Sequence, residues 1–209
     1  MIKLAIIGSG DLGQLAAHHA NACGYSVVGF FDDFQIKAKL VDGHPVLGKL
    51  SDIEKNFSEK IFDVLFVAIG YNHFEFRKNV FEKYRGDIAY AKLIHPSCYV
   101  DPSCKIGEGT FILPGCTLDR NVILGDNVLL NTGVTIAHDT TIGNHSFISP
   151  AVQLAGFIKI GTCCMIGIGS TVIDNIKITD NIRTGAGTVV TQNLSEEGLY
   201  VGVPAKKIK

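Results

Sequence analysis

The sequence predicts two architectures in one chain, an α/β parallel sheet over residues 1–93 and a parallel β-helix over residues 94–209. Two observations carry this. A short apolar run from Lys3 to Ile7 ends in the glycine turn Gly8-Ser9-Gly10-Asp11-Leu12-Gly13 and leads into a helical stretch, the opening of a strand–helix–strand unit with parallel strands. In the second half every sixth residue from Ile106 to Ile178 is Ile, Leu or Val, and periodicity of that length outranks local propensity. The change of period near residue 93 marks the boundary.

In the first half the helix runs to about Cys23, and Ser26 to Phe31 forms a second strand ending at Asp32-Asp33. Phe62 to Ile69 reads as a further buried strand, followed by Gly70-Tyr71-Asn72 and a helix from about Phe74 to Tyr84. Ile88 to Ile94 is expected as the last strand. The result is a small doubly wound, Rossmann-like sheet of about four strands. Gly8, Gly10 and Gly13 satisfy G-x-G-x-x-G after a strand, with Asp32 placed 19 residues beyond Gly13, which resembles a dinucleotide fingerprint. Fewer than 100 residues of sheet cannot supply both halves of an NAD-binding fold, however. The same loop and helix N-terminus can cradle a diphosphate instead, with Asp32 or Asp33 accepting hydrogen bonds from a base or ribose.

The second half has one good physical solution. Four residues after each aliphatic sits a small or β-branched residue, among them Thr110, Cys116, Val122, Val128, Val134, Thr140, Ser146 and Val152, and glycine often follows the aliphatic directly, as at Gly107, Gly125, Gly143, Gly161 and Gly167. Six residues make a short strand and a corner, and three such units close a triangular coil of 18 residues. Coils stack at strand spacing, about 4.8 Å, so each aliphatic lies over another one coil away in a prism too narrow for tryptophan, of which the chain has none. From 94 to 183 no insertion interrupts the repeat. The phase breaks at Thr184, and Gly185-Ala186-Gly187 starts a close-packed final coil.

Composition excludes several functions. Nineteen basic against 20 acidic residues give a net charge of -1, so no global field recruits nucleic acid or an anionic membrane. No stretch approaches the roughly 18 to 20 apolar residues of a membrane span, and the opening MIKLAIIGSG is too short and too soon broken by glycine for a signal peptide. Cys23, Cys98, Cys104, Cys116, Cys163 and Cys164 show neither metal nor disulfide-framework spacing, and reduced thiols in a cytoplasmic protein are expected.

One corner carries the chemistry. His138 is the third residue of the unit beginning at Ile136, so it faces outward, and Asp139 follows it. Gly156 lies 18 residues on, one coil away, and stacks over His138 at roughly 5 Å. An imidazole beside a carboxylate is a candidate general base. A glycine one rung above leaves room for a substrate and offers a backbone N–H to an oxyanion. These are the parts that acyl transfer from a thioester requires, although a plain polar corner residue explains His138 equally well from periodicity alone. Among the other histidines, His18 and His19 lie in the first helix, His73 stands without a partner after a strand end, and His95 precedes Pro96 at the domain junction. Cys163 and Cys164 read as coil-packing thiols, and the lysine-rich C-terminus as a solvated tail.

The two halves together resemble the sialic-acid-acetyltransferase type of sugar O-acyltransferase, and within it the bacterial N-acetyltransferases of nucleotide-linked 4-amino-4,6-dideoxy sugars of the bacillosamine pathway. The resembling segments are Gly8 to Gly13, Phe31-Asp32-Asp33, Ala68-Ile69-Gly70, Ile94 to Ser97, Asn131-Thr132, Ile136 to Gly143 and Gly198 to Lys206, the last with the look of the G-x-P-A-[KR] tail of hexapeptide acyltransferases. The resemblance implies a left-handed parallel β-helix, three prisms packed as a homotrimer, and acetyl-CoA as co-substrate in a groove between prisms, with no metal. It implies that His138 takes a proton from the sugar amine, tuned by Asp139 where relatives often carry Glu. Gly156 would offer its N–H to the thioester carbonyl, Phe147, Ile168 and Ala186 would touch the cofactor, and Asn131 would line the acceptor site. Ser9, Gly10, Asp11, Leu12, Asp32, Asp33 and Gly70 would hold the nucleotide sugar, linked to UDP, dTDP or GDP. Two departures stand out: Leu12 replaces a loop histidine of the bacillosamine-type relatives, and Phe147 replaces a histidine that relatives use near CoA, with His145 at a different corner.

The leading expectation is an acetyl-CoA-dependent N-acetyltransferase acting on the C4 amine of such a sugar by direct attack. An O-acetyltransferase of the sialic-acid type on the same scaffold is the near alternative. A zinc hydro-lyase would need three converging histidines, and a nucleotide-sugar-binding protein without catalysis would not depend on His138.

Overall fold

In the computed structural model, which describes all 209 residues, the chain divides into two units, Met1–Leu93 and Ile94–Lys209. The first begins with β1 (Ile2–Ile7), α1 (Asp11–Ala20) and β2 (Tyr25–Phe31). A hairpin of β3 (Leu40–Val41) and β4 (His44–Gly48) follows, then a short α2 (Ile53–Ser58), β5 (Val64–Val67) and α3 (Phe74–Tyr84). The sheet order is β3-β4-β2-β1-β5, parallel except for the β3–β4 hairpin. Leu4 to Ile7, Phe30, Phe31 and Leu65 to Val67 are fully buried, as the near-continuous apolar runs of a parallel sheet demand.

Two glycines shape the β1–α1 turn. Gly8 has a φ of +94°, a region closed to most side chains. At Gly13 a Cβ would run into the carbonyl oxygen of Gly8, so only glycine lets α1 pack this tightly on the turn. The helix buries Gly13, Ala16, Ala17 and Ala20, small residues that keep its axis close to the sheet.

The sheet departs from the sequence reading at three places. The strand expected over Ile88–Ile94 does not form as one: a single parallel bridge joins Tyr90 to Leu65, and the chain then leaves the sheet to start the β-helix at Leu93–Ile94. The strand expected over Phe62–Ile69 is confined to Val64–Val67. The β3–β4 hairpin was not anticipated, because it is short, carries Pro45, and turns at Asp42-Gly43.

The second unit is a prism of three parallel sheets. Its strands are two residues long along the repeat and pair with a shift of 18, for example Leu118 with Ile136, Ile136 with Leu154 and Leu154 with Val172. From Ile112 to Ile178 the sixth-residue aliphatics are no more than 3% exposed, and Ile106 at the open end packs partly buried against them. Each such side chain contributes about 1.5–3 kcal/mol of burial. The residues four further on fill the remaining interior, and the polar ones are satisfied: Thr140 Oγ1 donates to the Ala155 carbonyl at 3.1 Å and Ser146 Oγ to that of Gly161 at 3.0 Å. Four thiols follow the same rule, Cys98, Cys104, Cys116 and Cys164 donating to carbonyls 15 residues ahead at 3.1 Å.

The corners have their own signature. Every sixth residue from Gly109 to Gly187 has a φ between 54° and 76°, the left-handed region that costs a side-chain-bearing residue about 1–2 kcal/mol. Most of these positions are Gly, Asn or Asp. His145, Ala151, Phe157 and Cys163 are not, so Cys163 is a corner residue rather than the packing thiol expected, whereas Cys164 is in the core. The C-terminal lysines are not a free tail: Lys206–Lys207 pair antiparallel with Gly198–Val201, and Lys207 Nζ lies 2.9 Å from Glu196.

Candidate active site

Backbone hydrogen bonds between coils fix the corner that carries His138. Asp139 N–H donates to the Arg120 carbonyl at 3.0 Å, Phe157 N–H to that of His138 at 3.1 Å, and Asn175 N–H to that of Gly156 at 3.1 Å. Arg120, His138, Gly156 and Asp174 therefore form one column, and Asn121, Asp139, Phe157 and Asn175 the next. The imidazole lies over Gly156: a Cβ there would stand 2.8 Å from His138 Cε1 and 3.0 Å from Nε2. The ring of Phe157 meets the imidazole edge-on at 5.1 Å between centroids.

His138 Nδ1 is 2.9 Å from Asp139 Oδ2. The other Asp139 oxygen accepts from Asn121 Nδ2 at 3.0 Å, and Arg120 approaches Oδ2 at 3.9 Å. The Asn121 amide first, then the His138 ring, with the Arg120 guanidinium adding to both, hold the Asp139 carboxyl below the usual carboxylate range. An ionised Asp139 fixes the tautomer with the proton on Nδ1 and leaves the Nε2 lone pair to accept. The side chains of His138 and Asp139 remain 36% and 27% exposed. No hydrogen bond within the chain uses the Gly156 N–H. The dyad is thus an acceptor, oriented by a carboxylate, above an unused donor, and Cys164, whose thiol burial pushes up to about 12, offers no competing nucleophile.

The other expected cofactor residues do not gather here. Ile168 and Ala186 stack one coil apart on a different edge of the prism, Gly187 N–H donating to the Ile168 carbonyl at 2.7 Å, and both are exposed. Phe147 is only 6% exposed and presents little surface to any ligand. Asn131 follows Leu130 on the face next to that of His138, its Oδ1 accepting from Thr132 N at 2.8 Å. The buried His145 ring contacts Asn127 Nδ2 at 3.0 Å. No group of three or more His, Cys, Asp or Glu side chains is arranged to hold a metal ion.

In the first unit a cleft of about 470 Å³ opens at the C-terminal ends of β1 and β2, lined by Gly8, Asp32, Asp33, Phe34, His73 and Phe76 with apolar neighbours. Open α/β sheets bind ligands at such strand ends. Ser9 donates to Asp32 Oδ2 through both its amide and its hydroxyl, at 2.9 and 2.6 Å, and Phe34 N–H donates to Oδ1 at 2.9 Å. Partial burial pushes the Asp32 carboxyl up, but these bonds outweigh it and leave it below its ordinary value. Asp33 accepts from Leu50 N–H at 2.9 Å. Both carboxylates therefore first tie the β2 end to its neighbours. Gly10 and Asp11 are exposed at the start of α1, Leu12 is half-buried behind them, and Gly70 precedes the turn carrying His73. A side chain at Gly10 would meet nothing within 4 Å, so that backbone is open to a ligand.

Sequence reasoning missed Asn121, Arg120 and Phe157 at the corner and Phe34, Leu50 and Phe76 in the cleft. The 18-residue shift that leads from His138 up to Gly156 also leads down to Arg120, and from Asp139 down to Asn121.

A six-residue-repeat prism with an oriented imidazole at an outward corner defines a hexapeptide-repeat acyltransferase. The PglD N-terminal domain family matches residues 3–84, and the bacterial transferase hexapeptide (six repeats) family matches residues 121–156. No curated protein sequence matches significantly. Among solved structures, the acetyltransferase domain of PglB from Neisseria gonorrhoeae is 31% identical with a TM-score of 0.91, over 100% of both chains. The same domain, solved with acetyl coenzyme A, aligns at 30% identity and a TM-score of 0.89, over 99% of this chain and 98% of that one. PerB from Caulobacter crescentus, solved with CoA and GDP-perosamine, is 32% identical with a TM-score of 0.91, over 99% and 97% of the two chains. The chain belongs to this family of acetyl-CoA-dependent sugar N-acetyltransferases, which joins a PglD N-terminal domain to a left-handed parallel β-helix of hexapeptide repeats.

Proposed function

We propose that the chain transfers an acetyl group from acetyl-CoA to the C4 amine of a nucleotide-linked 4-amino-4,6-dideoxy sugar, with His138 as general base. The observation that carries this reading is the His138–Asp139 pair seated over Gly156. The likeness to PerB, solved with GDP-perosamine and CoA, supports the substrate class.

The amine nitrogen attacks the thioester carbon while its proton passes to His138 Nε2. The carbonyl electrons move to oxygen, where the Gly156 N–H meets the developing negative charge. Collapse restores the carbonyl and breaks the C–S bond, and the imidazolium returns its proton to the departing thiolate. The products are an amide and free CoA, with no acyl-enzyme. Asp139 stays ionised throughout, holding the ring and stabilising the imidazolium. The cleft at the ends of β1 and β2 takes the nucleotide, with the diphosphate at the open Gly10 backbone and the N-terminus of α1. Acetyl-CoA contacts at Gly156 and at Ile168 and Ala186 fall on two edges of one prism, which favours a trimer whose neighbouring prisms each supply one edge.

The test is release of CoA thiol from acetyl-CoA with UDP-, dTDP- and GDP-linked 4-amino-4,6-dideoxy sugars, on wild type and His138→Ala. Turnover with one of them, lost at least about 10²-fold in the mutant, and an acetylated product stable to mild base are expected. A base-labile ester product would redirect the activity to a hydroxyl, and turnover unchanged in His138→Ala would remove the base assignment.

A further inference from the structure

Phe157 is out of place by every local rule. It occupies a left-handed corner with a φ of 59°, a conformation that bulky residues rarely adopt. Its column neighbours one coil away on either side are Asp139 and Asn175, and Asn121 lies beyond Asp139, all residues suited to that backbone. Burial does not explain the phenylalanine, since the residue is 52% exposed. What it does instead is present its ring edge-on to the His138 imidazole, at 5.1 Å and 86°, immediately after the Gly156 N–H. Strain of this kind persists where function requires it.

We infer that Phe157 is the acyl-selecting wall of the active site, the surface against which the methyl of the transferred acetyl group rests. This rests on the reading of His138 as base and the Gly156 N–H as oxyanion donor. The attacking nitrogen must then sit within hydrogen-bond reach of Nε2 and the carbonyl oxygen within reach of the Gly156 N–H, which holds the reacting carbon between the two. Substituents on that carbon fall within van der Waals reach of a ring this close to the imidazole. The methyl is the apolar substituent whose size differs between acyl donors, and a rigid aromatic wall beside it discriminates chain length. The ring also keeps water from the imidazole on that side.

The test compares wild type with Phe157→Asn and Phe157→Leu, measuring thermal midpoint, assembly size, and kcat/KM with acetyl-, propionyl- and butyryl-CoA. Phe157→Asn relieves the corner, so its midpoint rises while kcat/KM with acetyl-CoA falls at least about tenfold and the preference for acetyl over butyryl narrows. Phe157→Leu, still apolar, retains most of that preference. A lowered midpoint in Phe157→Asn, an unchanged acyl preference, or an assembly that dissociates on substitution would each overturn the inference, the last by making Phe157 an interface residue. Wild-type protein without turnover on any amino sugar would overturn the parent reading and this inference with it.

Discussion

Gly156 is the floor on which the His138 ring rests: any Cβ at this position would stand 2.8 Å from Cε1 of the imidazole. The glycine therefore serves two purposes at once, leaving its N–H unused and leaving the ring its place.

Gly156→Ala should displace the imidazole and obstruct the amide beside it. A fall in kcat/KM of about 10²-fold is expected, of the size that follows loss of an oxyanion donor. Because part of its effect acts through the same ring, the double variant with His138→Ala should lose less than the two single losses combined. Kinetics of the four forms check this, and fully additive losses would contradict it.

Asn121→Ala removes the largest single influence holding down the Asp139 carboxyl. A carboxylate whose folded-state pKa is depressed stabilises the protein above its unfolded pKa and loses that contribution as the pH falls through the folded value. Without Asn121 the folded value rises toward the ordinary one, so protonation begins at higher pH. Acid unfolding, followed by circular dichroism, should therefore begin at higher pH. Asn121→Asp, which adds a like charge beside Asp139, should move the unfolding midpoint further in the same direction. A midpoint that stays in place in both variants would exclude Asn121 as the residue holding the Asp139 carboxyl down.

Phe76 lines the first-unit cleft and is half exposed, so its loss should cost little stability. If the cleft stacks a nucleobase, Phe76→Ala should weaken nucleoside diphosphate binding by roughly 5- to 150-fold, the range that about 1–3 kcal/mol per stacked base implies. Calorimetric titration with UDP, dTDP and GDP measures this directly, and the same variant should raise KM for the nucleotide sugar with little change in kcat. His73→Ala, which removes a polar side chain from the same cleft, should alter the ranking of the three nucleotides. Unchanged binding in both variants would move the nucleotide elsewhere.

Ile148→Ala empties a fully buried position in the stacked interior, between Leu130 and Ile166. A loss of about 2–5 kcal/mol is expected, seen as a lower denaturant midpoint with an unchanged slope. A much smaller loss would mean that the adjacent coils relax into the space.

The prism was legible in the sequence because its interior is read every six residues, and one shift of 18 was enough to stack Gly156 over His138. Its corners were less legible. A corner is defined by a positive φ, and Phe157 and Cys163 are residue types that argue against one, so composition hides the backbone that stacking imposes. The first unit was legible where apolar runs are long, as in β1 and β2. It was not where pairing is brief: the segment around Tyr90 has the apolar character of a strand but makes a single bridge to Leu65 before the chain departs. The cleft was half legible. Asp32 and Asp33 stood out by position, but only the folded chain shows that Ser9 and Phe34 bond both Asp32 oxygens and Leu50 one of Asp33's, and that Phe34 and Phe76 join them in lining the cleft.

The rung-to-rung bonds at this corner, 3.0 to 3.1 Å long, are made wholly by main-chain atoms. The main-chain spacing from the His138 rung to the Gly156 rung is therefore a ruler marked off by the backbone, and the side chains decide only what is mounted on it. Residues on the column can be exchanged for others with new chemistry while the spacing between rungs stays the same. A scaffold of this kind lets selection explore acceptors and acyl donors one rung at a time, without having to rebuild the geometry at each step.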